Sequence, residues 1–146
     1  MIENETKKRI IYLFCGVTMV ICFVIFHNLF FISRPVIADS QSAKVLRVTY
    51  VYDKQYGGNY DLTEYDETKI LDYLSTCTET RTMHRANSSI SYKDFTLILE
   101  VFDDYNFKQI LLGSKDNYSN TGYGSFKYEI ENASAVLENV QVMLGL

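Results

Sequence analysis

The stretch "YKDFTLILEVFDDYNFKQILLGS", residues 92–114, contains the clearest pair of strands in the sequence. Residues 95–101 alternate, with Phe, Leu, Leu and Val on one face and Thr, Ile and Glu on the other. A period of two of this kind indicates a strand with one buried face. The polar residues 103–106 fit a turn, and residues 107–113 return the chain. The stretch therefore predicts an antiparallel hairpin.

Further strands are predicted on both sides of this hairpin. Lys44 to Asp53 is β-branched and aromatic and alternates in the same way, and Gly57-Gly58 after it supplies a turn. Phe126 to Ile130 follows the polar loop of residues 115–125 and is another strand. "TETRTMHR", residues 78–85, is compatible with a short edge strand.

Two amphipathic helices complete the predicted domain. The first has Asp66 as its N-cap, and its apolar residues between Ile70 and Cys77 share one face. The second is capped by Asn132, and its apolar residues recur at helical spacing from Ala133 to Leu144. The order strand, helix, hairpin, strand, helix predicts an α+β fold, a small antiparallel sheet with two helices packed on one face.

An apolar stretch precedes this domain. Ile10 to Ile32 comprises 23 residues and would form a helix about 35 Å long, against a hydrocarbon core of about 30 Å. Lys7, Lys8 and Arg9 precede it, so the positive-inside rule places the N-terminus in the cytoplasm. The predicted division is a cytoplasmic tail (1–9), a transmembrane helix or signal anchor (10–33), a spacer (34–43) and an extracytoplasmic domain (44–146).

Signal-peptide cleavage is the alternative to an anchor. Val36-Ile37-Ala38 has small side chains where a signal peptidase reads them, so cleavage near Ala38 would release a secreted protein. The apolar region of a secretory signal usually has about 7–15 residues, and the length of this one favours an uncleaved anchor. Both alternatives place residues 39–146 outside the cytoplasm.

Composition restricts the partners of the exported part. Residues 39–146 carry ten Lys or Arg against sixteen Asp or Glu, a net charge of −6. Nucleic acid requires a basic surface, and broad adhesion to anionic lipid does too, so neither is expected. Cys77 is the one cysteine beyond the apolar stretch. The domain must therefore fold on its core without an intrachain disulfide.

Four segments carry a resemblance to known domains: "DETKILDYLSTCTETRT", "YKDFTLILEVF", "KQILLG" and "GSFKYEIENASAVLENVQVML". Together they resemble small membrane-anchored or lipid-anchored domains of unknown function from low-GC Gram-positive bacteria. The shared features are a helix that opens with an acidic residue, an Arg-Thr pair, a hairpin, and a Y-x-I-x-N segment before a helix. The resemblance spans residues 44–146 and implies no particular activity. Cys15 and Cys22 both lack the small preceding residue of a bacterial lipobox, which argues against attachment through lipid.

Catalytic and metal chemistry are not expected from these residues. Cys77 and His84 could pair a thiol with a base, but Cys77 shares the apolar face of Ile70 and Leu74 and is predicted to be a small buried side chain. One exported histidine is too few for a convincing zinc site. We therefore predict a protein that is not an enzyme and has no cofactor or metal.

Two groups of residues are candidate binding sites. The basic cluster Arg81, His84, Arg85 and Lys93 could hold an anionic group such as a wall-polymer phosphate, or it could be a solvated face that protects an edge strand. Tyrosines in predicted loops offer rigid contact area with a polar tip. These tyrosines are Tyr56, Tyr60, Tyr65, Tyr118 and Tyr123.

These observations give three functional hypotheses. In the first, the membrane is crossed by Ile10 to Ile32 and the exported domain binds an envelope or secreted protein through the Tyr56–Tyr65 loop. In the second, the domain binds cell-wall glycan or an anionic polymer. In the third, the domain is secreted after cleavage near Ala38.

Overall fold

The computed structural model describes residues 2–52, 55–86, 96–103, 106–113, 117–122 and 124–146, with the backbone alone for residues 2–4, 52 and 55–57. Lys93 and Tyr123, both predicted site residues, lie outside the described residues, as does the side chain of Tyr56. The chain divides into two compact units, Met1–Ile32 and Ser33–Leu146.

The first unit is one long helix, α1, from Ile2 to Phe30. Its segment Glu5–Phe30 is long and apolar enough to cross a membrane, and its large apolar side chains are exposed around the helix. Thr18 Oγ1 donates to the Phe14 carbonyl oxygen at 2.9 Å, so this hydroxyl has a partner within its own helix, as an apolar solvent requires. The prediction of an N-terminal apolar helix is confirmed, and its length and composition suit a membrane anchor or a signal sequence.

The second unit is built on an antiparallel sheet. Among the described residues eight strands pair in the order β1-β4-β8-β7-β6-β5-β2-β3, which makes β1 and β3 the two edges. The strands are β1 Arg34–Pro35, β2 Lys44–Tyr52, β3 Gln55–Tyr60, β4 Thr78–Arg85, β5 Leu97–Asp103, β6 Asn106–Leu112, β7 Tyr118–Asn120 and β8 Phe126–Ile130.

The hairpin predicted from residues 92–114 is present as β5 and β6. Leu99 pairs with Ile110, and Asp103 pairs with Asn106 where the predicted turn begins and ends. The strand predicted at residues 78–85 is also present, and the two residues of β1 pair with its first two residues, Thr78 and Glu79.

Two helices, α2 (Glu64–Thr76) and α3 (Ala133–Leu144), complete the core. Their buried residues, such as Leu74 and Val140, form one cluster with sheet residues such as Val48, Leu99 and Ile110. A separate small cluster of Ile98 and Leu111, with Tyr118 against it, lies on the second face of the sheet. The predicted α+β fold with two helices on one face is therefore confirmed.

The N-cap residue of α2 differs from the predicted one, whereas that of α3 is the predicted Asn132. Thr63, and not Asp66, is the N-cap of α2: its hydroxyl oxygen accepts a bond from the Asp66 backbone N–H at 3.2 Å. Asn132 stands at the N-cap of α3 but has a left-handed backbone, φ 51°, and makes no side-chain cap bond. A left-handed Asn allows the sharp change of direction from β8 into α3.

The predicted spacer 34–43 is wrong in its first half. Arg34 and Pro35 form β1 beside β4, and Val36 and Ile37 are 0% exposed within the main core. The Val36 N–H donates to the Cys77 carbonyl at 2.8 Å. The folded domain therefore begins at Ser33 and not at Lys44.

The predicted turn at Gly57-Gly58 is wrong as well. Both glycines belong to β3, which pairs with β2 through Thr49↔Asn59 and Tyr50↔Gly58. Gly58 has φ +135° at an irregularity in this pairing. The segment predicted as a tyrosine-rich loop is thus largely an edge strand, because two adjacent glycines can mark a bulged strand as well as a turn.

Candidate binding site on strands β4 and β8

Strand β8 presents different chemistry on its two faces. Phe126, Tyr128 and Ile130 alternate with Lys127 and Glu129, and successive side chains of a strand point to opposite faces. Ile130 belongs to the main core, whereas Lys127 and Glu129 line a cavity together with Tyr118 of the second face. The strand therefore contributes an aromatic row to one side and a charged pair to the other.

Three arginines stack on the aromatic row. The guanidinium carbon of Arg34 lies 3.7 Å from the centroid of the Tyr128 ring. Those of Arg81 and Arg85 lie 3.7 and 4.2 Å from the centroid of the Phe126 ring. We call Arg34, Arg81 and Arg85, with their two rings, the arginine surface.

A register shift explains why two arginines of β4 reach the same ring. Arg81 pairs with Tyr128 and Arg85 with Phe126, so an advance of four residues along β4 matches an advance of only two along β8. The Thr82 side chain supplies hydrogen bonds within this irregular part of the pairing. Its hydroxyl donates to the Lys127 carbonyl at 3.1 Å and accepts from the His84 N–H at 3.2 Å. The predicted basic cluster is therefore divided. Arg81 and Arg85 contact the aromatic row, whereas His84 lies beside Lys127 and Glu129.

The other side of β4 and β8 contributes to a groove. His84, Thr82, Lys127, Glu129 and Tyr118 line it, and the end of β8 and the start of α3 close it through Ile130, Ala133 and Ser134. Its volume is about 480 Å³, within the range of ligand pockets. We call this cavity the β4–β8 groove.

The β4–β8 groove carries charges of both signs beside an aromatic ring. Lys127 Nζ lies 4.0 Å from the centroid of the Tyr118 ring, a cation–π distance that holds both side chains in place. Glu129 is exposed, while Tyr118 is half-buried. Two predicted site residues from separate groups, Tyr118 and His84, therefore meet in one cavity.

A buried charged cluster supports the base of the arginine surface. The Glu79 carboxylate, 0% exposed, accepts bonds from Arg34 Nε at 3.0 Å and from Lys108 Nζ at 2.9 Å. Ser119 Oγ donates to its second oxygen at 2.5 Å, and Lys108 Nζ also donates to the Val36 carbonyl. Burial lowers the pKa of Lys108, and the neighbouring Glu79 carboxylate offsets part of that shift. The cluster thus ties the segment after the apolar helix to the centre of the sheet.

Tyr60 and Tyr65, the other predicted tyrosines whose side chains the structure describes, do not line the β4–β8 groove with Tyr118. Tyr60 is half-buried and packs against the main core, whereas Tyr65 is 76% exposed in the first turn of α2. Burial against the core leaves Tyr60 less side-chain area for a partner than a loop position would. The Tyr56–Tyr65 surface stays a prediction.

Cys77 has the environment of a structural residue. It packs half-buried against the core, and its thiol lies 3.4 Å from the Tyr73 carbonyl oxygen. Burial raises the pKa of the Cys77 thiol, which keeps it protonated and poorly nucleophilic at neutral pH. Within the part of the chain that the structure describes, no three His, Cys, Asp or Glu side chains gather as a metal site would require.

Sequence reasoning missed several members of these sites. Arg34 falls within the predicted spacer 34–43, and Lys127 and Glu129 belong to no predicted binding site. The alternation of Phe126 and Tyr128 with Lys127 and Glu129 was the signal that could have revealed two functional faces.

No family model matches this chain, and neither a curated protein nor a solved structure matches it. The function must therefore be inferred from the residues of the chain itself.

Proposed function

We propose that this protein is a single-pass membrane protein whose extracytoplasmic domain is a binding module for an envelope or secreted protein. The observation that supports the anchored form is that residues 33–37, directly after the apolar run, are part of the folded domain. Ser33 Oγ donates to Glu131 at 2.6 Å, Arg34 pairs with Glu79, and Val36 and Ile37 are fully buried.

Cleavage near Ala38 would damage this domain. It would remove strand β1, the Arg34 partner of Glu79 and two core side chains. Full burial of one aliphatic side chain stabilises a fold by about 1.5–3 kcal/mol, and whole domains are stable by only about 5–15 kcal/mol. Loss of Val36 and Ile37 alone would thus remove a large fraction of the stability. The retained anchor is therefore favoured over the secreted form.

The topology follows from the charges that flank the apolar run. Lys7, Lys8 and Arg9 stand before it, and Arg34 is the nearest basic residue after it. An excess of basic residues marks the cytoplasmic side. We therefore place the N-terminus in the cytoplasm and the domain of residues 33–146 outside it.

The β4–β8 groove is the proposed contact for the protein partner. Tyrosine is enriched at the centres of protein interfaces because it combines a large rigid area with a hydroxyl group. Lys127 and Glu129 beside Tyr118 offer charges of both signs, which suits a polypeptide segment with mixed charges better than a uniformly charged ligand.

Site-specific photo-cross-linking on intact cells tests both parts of the proposal. A photoreactive amino acid replaces His84 in the full chain, which carries a C-terminal epitope tag. The control replaces Val142 of α3, which is 72% exposed and does not line the groove. We expect a cross-linked adduct from position 84 and none from position 142, with the tagged chain full-length and in the membrane fraction.

Three results would contradict the proposal. Equal adducts from both positions, or none from position 84, would remove the groove as the contact. A shorter tagged fragment in the medium would show that the anchor is cleaved. A C-terminal tag that an impermeant reagent labels only after lysis would place the domain in the cytoplasm.

A further inference from the structure

The arginine surface is a second feature of this domain that the β4–β8 groove does not use. Its three guanidinium groups lie over two rings that are two residues apart on β8. Side chains two apart on a strand are spaced by about 7 Å. The surface is therefore a short row of cations at a spacing that the backbone sets.

Each guanidinium group of this row is held in place before any ligand arrives. Arg34 lies over the Tyr128 ring and donates through Nε to Glu79 at 3.0 Å. Arg85 lies over the Phe126 ring and donates through Nη1 to the Gly124 carbonyl at 2.6 Å. Ring stacking restricts a flexible side chain, so less conformational entropy is lost on binding.

Two cations of the row share one ring. Arg81 and Arg85 both contact the Phe126 ring, with their guanidinium carbons 3.7 and 4.2 Å from its centroid. Like charges gathered around one ring repel each other, and an anion bound at this surface relieves the repulsion while accepting bonds from guanidinium groups. The arrangement therefore favours an anionic ligand over a neutral one.

The acidic net charge of the domain does not prevent this binding. At physiological ionic strength the Debye length is about 8 Å, so the local charges dominate. The buried Glu79 carboxylate is shared by Arg34 Nε at 3.0 Å and Lys108 Nζ at 2.9 Å, so one anion there faces two cations. The row thus remains locally positive on a domain that is negative elsewhere.

We propose that the arginine surface binds a linear phosphate-bearing polyanion outside the cytoplasm. Guanidinium groups bind phosphate oxygens in pairs and with defined geometry, and a row of three matches a chain of repeated phosphates better than a single ion. This site is separate from the β4–β8 groove, and its ligand class differs from that of the protein partner. Arg34, outside the basic cluster predicted from the sequence, is its third member.

Binding of purified full-length protein to inorganic polyphosphate tests this inference. The protein is held in nanodiscs of neutral phosphatidylcholine, and affinity is measured at two salt concentrations. We expect Arg81→Ala/Arg85→Ala to weaken binding at least tenfold. The control Arg47→Ala/Lys69→Ala removes two positive charges elsewhere in the domain and is expected to change affinity less than twofold.

A second variant separates geometry from charge. Arg81→Lys/Arg85→Lys keeps both charges but loses the planar groups, and we expect it to weaken binding at least threefold. It also keeps the test decisive if the alanine variant fails to fold. Equal losses in the control and the alanine variant would overturn the proposal. So would unchanged binding by the lysine variant, or binding to phosphatidylglycerol vesicles with none to polyphosphate.

Discussion

The two edges of the sheet, β1 and β3, are anchored in opposite ways. Strand β1 has two paired residues, but the next two side chains, Val36 and Ile37, are fully buried, and Arg34 pairs with a buried carboxylate. Strand β3 has six residues along β2, yet its register is irregular and Gly58 within it has a positive φ. We infer from this difference that buried side chains next to an edge strand hold it more firmly than a longer hydrogen-bonded ladder does.

Truncation of a core side chain beside β1 is expected to lower the stability of the domain more than any change at β3. We expect Ile37→Ala to lower the free energy of unfolding by about 2–5 kcal/mol, because it leaves a cavity in a packed core. Urea unfolding of the full chain in detergent, followed by tyrosine fluorescence, measures the change. Ile32→Ala, at an exposed position of the first unit, is the control. A loss below about 1 kcal/mol would show that β1 is not anchored through Ile37.

A glycine substitution in β3 is expected to have a smaller effect. In Gly58→Ala the new Cβ would lie 3.3 Å from the Tyr50 hydroxyl oxygen. The alanine backbone would also have to adopt the strained positive φ of this position. We expect a loss of about 1–3 kcal/mol in the same urea experiment. Gly122→Ala is the matched control, since φ is +120° there and no atom lies within 4 Å of the new Cβ.

The difference between the two glycine variants isolates the contact with Tyr50 from the backbone strain. Gly58→Ala should cost more than Gly122→Ala and less than Ile37→Ala. A loss of unfolding free energy in Gly58→Ala as large as that in Ile37→Ala would contradict the inference that β1 is held more firmly than β3.

Most strands of the sheet were predictable from sequence, but its two edges were not, and neither was the central strand β7, which lies within the predicted polar loop of residues 115–125. Strand β5 was recognisable because Leu97, Leu99 and Val101 share a face that is buried in the main core. In β2 an irregularity between Val45 and Arg47 puts Val45 and Val48 in the same core and leaves Leu46 55% exposed. Strict alternation had placed Val45 and Val48 on opposite faces. A bulge depends on the partner strand, so a single strand's pattern does not reveal it.

The candidate sites show the same limit. Arg81, His84 and Arg85 form one cluster in sequence, but Arg81 and Arg85 contact the Phe126 ring, whereas His84 lines the β4–β8 groove with Lys127 and Glu129. Arg34 joins Arg81 and Arg85 only because β1 returns to pair with β4, a contact between residues far apart in the chain. Residue type suggested an anion site, but the members of that site depend on long-range pairing that local patterns do not contain.

The stability of the β1 edge is expected to depend on pH through Glu131. Glu131 accepts bonds from Ser33 Oγ and Thr78 Oγ1, both at 2.6 Å, and these bonds lower the pKa of Glu131 below its ordinary value of 4.5. A carboxyl whose pKa is lowered by folding stabilises the fold above its unfolded pKa, and this contribution is lost as the pH falls through the folded pKa. Acid should therefore weaken the attachment of Ser33 at the β1 side.

Urea unfolding of wild type and Glu131→Gln between pH 7 and pH 3 measures this contribution. We expect wild type to be more stable at neutral pH and the difference to shrink below pH 4.5. Glu138→Gln, an exposed position on α3, controls for the loss of one negative charge. A difference that stays constant over this range would mean that the charged form of Glu131 does not hold Ser33, and the firm anchoring of β1 would then depend on Arg34, Val36 and Ile37 alone.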